Sequence, residues 1–144
     1  MAAYHQGAFE PKNPSKYIGT YPITYRSAWE LTFMNVCDTH PNIQQWASES
    51  IKIPYQDPFT GKLRTYIPDF FIVYVDKNGR THGEIIEIKP LSQSIPEAAR
   101  TRKDQEAITL NEAKWESAVN WCRSQNIKFR IMTEQQLYRG AGGK

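Results

Sequence analysis

Cysteine is scarce in this chain: Cys37 and Cys122 are the two in 144 residues. Each falls on the apolar side of an expected helix, so both read as buried free thiols of a reducing compartment. A disulfide scaffold or a cysteine-rich zinc site does not fit that count. Long hydrophobic runs are also missing, and nothing approaches the ~20 residues of a membrane span. The N-terminus is polar, with Pro11 and Pro14, and lacks the apolar stretch of a secretory signal. Histidine is limited to His5, His40 and His82, which are too scattered to read as a metal cluster. No internal repeat is visible. Charge of one sign barely dominates: 18 basic against 15 acidic residues give +3 and a pI near 8.8. That balance permits a polyanionic partner without demanding one. With 40% hydrophobic and 23% charged residues, the chain reads as one globular domain long enough to bury a core. A soluble protein of the cytoplasm, or of a particle assembled there, is expected.

The informative stretch runs from Tyr66 through Pro68-Asp69-Phe70 to Val75, and resumes after a turn at Gly83-Glu84-Ile85-Ile86-Glu87-Ile88-Lys89-Pro90. It reads as two consecutive strands. Side chains alternate along a strand, so Glu87 and Lys89 emerge on one face while Ile86 and Ile88 point to the other, toward a core. The first strand is apolar on both faces, as a central strand covered on both sides would be. Asp76-Lys77-Asn78-Gly79 carries the Asn-Gly hairpin signal, so the strands are expected antiparallel with Asp69 about opposite Glu87. Two carboxylates across a strand pair repel unless a cation or proton lies between them. With the Ile88 carbonyl and water they form the ligand set of a divalent-metal phosphodiesterase, and Lys89 stands on the same face.

The flanking chain frames that pair. Residues 1–22 contain three prolines and no sustained periodicity, and read as an extended arm docked, if at all, through Phe9, Tyr17 and Tyr21. Residues 23–138 form the folded domain and 139–144 a flexible tail. Ser27-Ala28-Trp29-Glu30 is a capping box opening a helix that ends before Pro41. Glu30 therefore has two readings: a cap bonded back to the Ser27 amide, or a third acid near the sheet carboxylates. Asn42 to Trp46 reads as a connector or strand stub. Residues 50–55 and 63–67 read as two strand limbs joined by a Pro- and Gly-punctuated turn. A helix is expected from about Arg102 to Arg123, then a parallel strand at Lys128–Met132 and a terminal helical turn at residues 134–138. The expected class is α/β (α+β), a small mixed sheet flanked by helices in the order α-β-β-β-(β)-α-β. Around the site, Arg26 is expected either to meet a phosphate or to pair with an acid. Lys62 and Arg64 are candidate contacts to backbone phosphates, and Lys114 is either a solvated helix residue beside Glu112 or a further phosphate contact.

The Pro68-Asp69…Glu87-Ile88-Lys89 set resembles the PD-(D/E)xK nuclease motif, with Glu30 in the place of that superfamily's first-helix acid. Three segments resemble the head-completion (neck) nucleases of T4-type tailed phages more closely: Tyr25 to Leu31, Ile53 to Phe70, and Glu87 to Pro90. Gly7 to Tyr17 and Asn111-Glu112-Ala113-Lys114-Trp115 are also similar. The endonuclease subunit of Tn7-type transposases has a similar core. The resemblance implies a restriction-endonuclease-like fold and Mg²⁺-dependent hydrolysis of double-stranded DNA, with Mn²⁺ able to substitute. It further implies work on DNA ends during head completion after packaging, with portal or neck proteins as partners. The expected location is the host cytoplasm during assembly, then the virion head or neck. Two other functions stay open on the sequence: a structural neck protein that binds portal or DNA without catalysis, and a transposase-type endonuclease subunit.

Overall fold

A computed structural model describes residues 6–137; the expected tail and Tyr138 lie outside the described residues. The chain forms β1 (Gly7–Ala8), β2 (Thr24–Tyr25), α1 (Ala28–Thr39), β3 (Ile43–Ser48), β4 (Ile53–Gln56), β5 (Leu63–Tyr66), β6 (Phe70–Val75), β7 (Thr81–Ile88), α2 (Arg102–Gln125) and β8 (Lys128–Met132). Four strands make the central sheet in the order β3-β6-β7-β8. The β3–β6 and β6–β7 pairs are antiparallel and β7–β8 is parallel. A parallel neighbour needs a crossover, and α2 supplies it. The class is the mixed α+β, restriction-endonuclease-like arrangement of a central mixed sheet between helices.

The alternation along β6 and β7 divides the core. Phe70, Ile72, Ile86 and Ile88 join Phe33, Met34 and Cys37 of α1 around Trp46 on one face. Ile85 and Phe71 meet Ala118 and Cys122 of α2 on the other. Glu87 follows the parity of Ile85, so it rises on the α2 face. Trp46 has no exposed surface, and truncation to alanine there costs about 3–5 kcal/mol. Both cysteines are free and buried.

The two helices start alike. Ser27 Oγ accepts the Glu30 N–H at 3.1 Å, and Thr101 accepts the Asp104 N–H at 3.0 Å. In each, the acid at the third position reaches back past the capping residue. Glu30 Oε1 accepts the Arg26 N–H at 2.9 Å, and Asp104 Oδ2 accepts the Arg100 N–H at 3.0 Å. The expected Glu30 bond to the Ser27 amide is therefore shifted by one residue, because the extended Ser27 backbone leaves the preceding amide facing the first turn.

Other departures have local causes. Residues 43–46 belong to a full edge strand, β3 (Ile43–Ser48), with Asn42 in the turn before it. A register shift between Ile43 and Gln45 breaks the alternation that would have revealed it. Strands β4 and β5 pair only with each other, as a separate hairpin laid on α2 through Ile53, Tyr55 and Tyr66. Val119 of α2 is an apolar residue left exposed. Pro96 opens a short 3₁₀ turn, Pro96–Ala98, ahead of α2.

The N-terminal segment packs from residue 6 onward. Phe9 and Tyr17 are buried against Trp46, and β1 pairs with β2. Buried Asp38, near the end of α1, accepts the Lys12 and Asn13 N–H groups at 2.8 and 3.0 Å. Tyr21 is largely exposed but stands edge-on to Tyr17. No described helix is long and apolar enough to cross a membrane.

Candidate active site

The β6–β7 turn is held by Asp76, whose Oδ1 accepts the Asn78 and Arg80 N–H groups, with Gly79 at a positive φ of 81°. That turn sets a register in which Phe70 faces Ile86. One step outward, Asp69 faces Glu87, at the end of the sheet remote from the turn. The two acids interlock. The Asp69 N–H donates to Glu87 Oε1 at 3.2 Å, and the Ile88 N–H donates to Asp69 Oδ2 at 2.8 Å. A residue's N–H and C=O point to the same edge of an extended strand, so the Ile88 carbonyl also faces the Asp69 side. The β8 side of β7 is closed by the Lys89 N–H bond to the Met132 carbonyl.

Glu87 is buried, and three groups address its carboxylate. The Tyr66 hydroxyl donates to Oε1 at 2.8 Å, the Asp69 amide shares that oxygen, and Lys89 Nζ lies 3.7 Å from Oε2. Burial still pushes the Glu87 carboxyl above its usual range, against the lowering effect of Lys89 and the hydrogen bonds. Asp69 is raised well above the carboxylate range, first by burial and then by the Glu87 charge, with the Ile88 N–H opposing. Tyr66 is pushed up strongly by burial and by Glu87, so it stays a donor. Two neighbouring acids that resist ionisation together form a place that favours a cation.

The first turn of α1 brings Glu30 to the same end. Burial raises its carboxyl, the Arg26 N–H bond lowers it, and Lys89 is among the charges acting on it. Among the described residues, no three acid, histidine or cysteine side chains converge as a ready-made metal cluster. The geometry brings Asp69 and Glu87 together and leaves Glu30 beside them, its Oε1 taken by a backbone amide. Arg26 pairs with an acid, placing Nε and Nη2 each 3.1 Å from the Glu49 carboxylate.

Lys114 is not on a solvated helix face. It projects from α2 over the rings of Tyr66 and Tyr55, with Nζ 5.7 and 5.9 Å from their centroids. Burial and then Lys89 lower its pKa, while Glu87 and Asp69 act the other way. It has no carboxylate within salt-bridge distance among the described residues. Arg64 is tied to Asp57 at 2.8 Å, and Lys62 is exposed at the β4–β5 turn. Both lie on the β4–β5 hairpin.

Sequence reasoning missed two residues. Glu49 has a positive φ of 50°, donates its N–H to the Asp69 carbonyl at 3.0 Å and holds Arg26. Only the β3–β6 pairing, with Ser48 opposite Phe70, brings it there, and that strand was hidden by its irregular start. Tyr66 belongs to no motif in the sequence. The usable signal was that a buried tyrosine needs a partner for its hydroxyl.

The family model described as TnsA-like endonuclease N terminal matches residues 40–134, a span from the end of α1 to the turn after β8 that includes Asp69, Glu87, Lys89 and Lys114. The chain belongs to this family. It is also 38% identical to the head completion nuclease of Enterobacteria phage T4, over 144 aligned residues covering 92% of this chain and 93% of that protein. The family span includes the interlocked acids and both lysines facing them, whereas Glu30 and Arg26 come from the preceding segment that the T4 relative also aligns.

Proposed function

We propose that this chain is a divalent-metal-dependent DNA endonuclease of the PD-(D/E)xK type that acts in phage head completion. One observation carries the reading: two mutually repelling carboxylates, buried Glu87 and half-buried Asp69, stand at one end of the sheet, faced by Lys89 and Lys114, in a chain of an endonuclease family. The donor set fits Mg²⁺, with Mn²⁺ as its substitute. Asp69, Glu87 and the Ile88 carbonyl would hold it, and such an ion usually takes one or two protein carboxylates plus waters and phosphate oxygens. When bound, the ion polarises a phosphoryl oxygen and acidifies a coordinated water. Lys89, on the face of Glu87, orients the attacking water and offsets charge gathering on the phosphorus centre. Lys114 holds a non-bridging phosphate oxygen from the α2 side. Tyr66 fixes the rotamer of Glu87. Glu30 adds negative charge through water rather than by direct ligation, since one of its oxygens serves the Arg26 amide. Arg26, Lys62 and Arg64 serve as phosphate contacts on double-stranded DNA, with Arg26 exchanging Glu49 for phosphate.

The name of the T4 relative, head completion nuclease, supports a role in head completion, and portal or neck proteins are the partners this reading proposes. On this reading the protein works in the host cytoplasm during assembly and then in the virion head or neck. Residues 6–22 act as an arm docked on the nuclease domain through Phe9 and Tyr17. The test is plasmid cleavage by purified protein with Mg²⁺ or Mn²⁺. Activity should disappear with EDTA, with Asp69→Ala and with Lys89→Ala; cleavage that survives either substitution overturns the reading.

A further inference from the structure

The β4–β5 hairpin stands apart from the sheet and has two unlike ends. Its base is clamped at the site: Ile53 pairs with Tyr66, and Tyr66 is bonded to Glu87. Its tip, residues 58–62, is exposed and is held stiff by buried Asp57. Asp57 Oδ1 accepts the Phe59 and Thr60 N–H groups at 2.8 and 3.3 Å, while Oδ2 accepts Arg64 Nε at 2.8 Å. The Asp57 N–H donates to the Lys62 carbonyl and its carbonyl accepts the Gly61 N–H, both at 2.8 Å. Gln56 Nε2 adds a bond to the Gly61 carbonyl. Gly61 closes the turn with φ of 75°.

This stiff tip displays apolar surface. Phe59 is 59% exposed and Leu63 79%. The hairpin register puts Leu63, Thr65 and Ile67 on the outward face with Pro54 and Gln56, because Tyr55 and Tyr66 take the inward face against α2. Ile67 is exposed as well. The same ribbon carries Lys52, Lys62 and Arg64 against one acid, Asp57. An aromatic held at the end of a rigid, basic ribbon has the chemistry of a wedge between bases, flanked by phosphate contacts. From Tyr66 to Leu63 is three residue steps, about 10 Å at about 3.3 Å each. DNA rises about 3.4 Å per base pair, so the tip reaches roughly three base pairs from a phosphate at the carboxylates.

We infer that the β4–β5 hairpin is a DNA-reading wedge: Lys52, Lys62 and Arg64 grip phosphates while Phe59 enters a base step about three base pairs from the cleavage position. Its ligand is DNA whose stack is interrupted at an end, nick or branch, where inserting a ring costs least. The inference rests on the nuclease reading and adds the structure selected by that site.

The test uses the full-length protein with Ca²⁺ in place of Mg²⁺. The probes are an open-ended duplex with 2-aminopurine about three base pairs from the end and a closed minicircle of the same sequence. The native protein should raise the 2-aminopurine fluorescence and prefer the open duplex. Phe59→Ala should abolish the rise and weaken open-duplex binding about tenfold, leaving minicircle binding within about twofold and the melting temperature unchanged. Phe59→Trp should retain both effects. A Phe59→Ala protein that binds the open duplex as tightly as the native one, with the same fluorescence, overturns the wedge alone. Failure of the native protein to bind either DNA overturns the wedge together with the nuclease reading.

Discussion

Asp69→Asn should make the metal-free protein more stable while removing its activity. Residues directly opposite in an antiparallel pair have Cβ atoms about 5 Å apart. Two like charges at that separation repel by about 3 kcal/mol at an effective dielectric constant of about 20. The substitution removes that repulsion and part of the burial penalty. It also exchanges the charge-assisted bond from the Ile88 N–H for a neutral one, which gives back about 1–2 kcal/mol. A net gain of about 1–2 kcal/mol remains, or about 3–6 °C in melting temperature at roughly 3 °C per kcal/mol for a chain of this size. The pH dependence has a definite sign. Asp69 and Glu87 have raised folded-state pKa values, so the folded state holds protons that the unfolded state releases first. In EDTA, the stability contributed by this pair is greatest below the usual carboxylate range. It falls as pH rises from that range through the raised values. The assay is scanning calorimetry from pH 4 to 8 in EDTA and then with Mg²⁺. A metal concentration tenfold above its dissociation constant stabilises by about 1.4 kcal/mol, and this increment should vanish in Asp69→Asn. An Asn variant less stable than the native protein in EDTA at neutral pH would refute the electrostatic argument.

Tyr66→Phe removes a buried donor to Glu87 and should cost about 1–2 kcal/mol; Glu87 is then harder to ionise, so the acidic limb of the pH–rate profile moves to higher pH. Lys114→Met should leave the fold intact and make log affinity for DNA less steep in log salt by about one phosphate contact. Fluorescence anisotropy across a salt series reads this directly, and an unchanged slope removes Lys114 from the interface. Asp38→Ala strips the Lys12 and Asn13 amides of their acceptor and should cost about 2–4 kcal/mol, about 6–12 °C. Early proteolytic cutting between residues 10 and 16 should accompany that loss.

The parts of the fold legible in the sequence were those set by local periodicity and turn chemistry. The Asn78-Gly79 turn and the parity of Ile86 and Ile88 were enough to place Asp69 opposite Glu87. Ser27 announced α1, and the long apolar pattern announced α2. What stayed hidden depended on contacts distant in the chain. Strand β3 carries a bulge that spoils its alternation, so neither its pairing with β6 nor the arrival of Glu49 beside Asp69 was readable. Lys114 looked solvated because its neighbour Glu112 is; only the docking of the β4–β5 hairpin on α2 turns the lysine inward over Tyr55 and Tyr66. Glu30 was legible as a cap, but its actual partner, the Arg26 amide, follows from the extended backbone at Ser27.

The bond from the Ile88 N–H to the Asp69 carboxylate has a spectroscopic consequence. At the end of β7, the Lys89 amide points to a carbonyl of β8, an acceptor that never titrates, whereas the Ile88 amide depends on one that does. The nitrogen and proton shifts of Ile88 should therefore follow the charge state of Asp69, with Lys89 as a built-in reference next to it. A single backbone resonance then reports protonation or cation occupancy at this end of the sheet, with no substrate or added label.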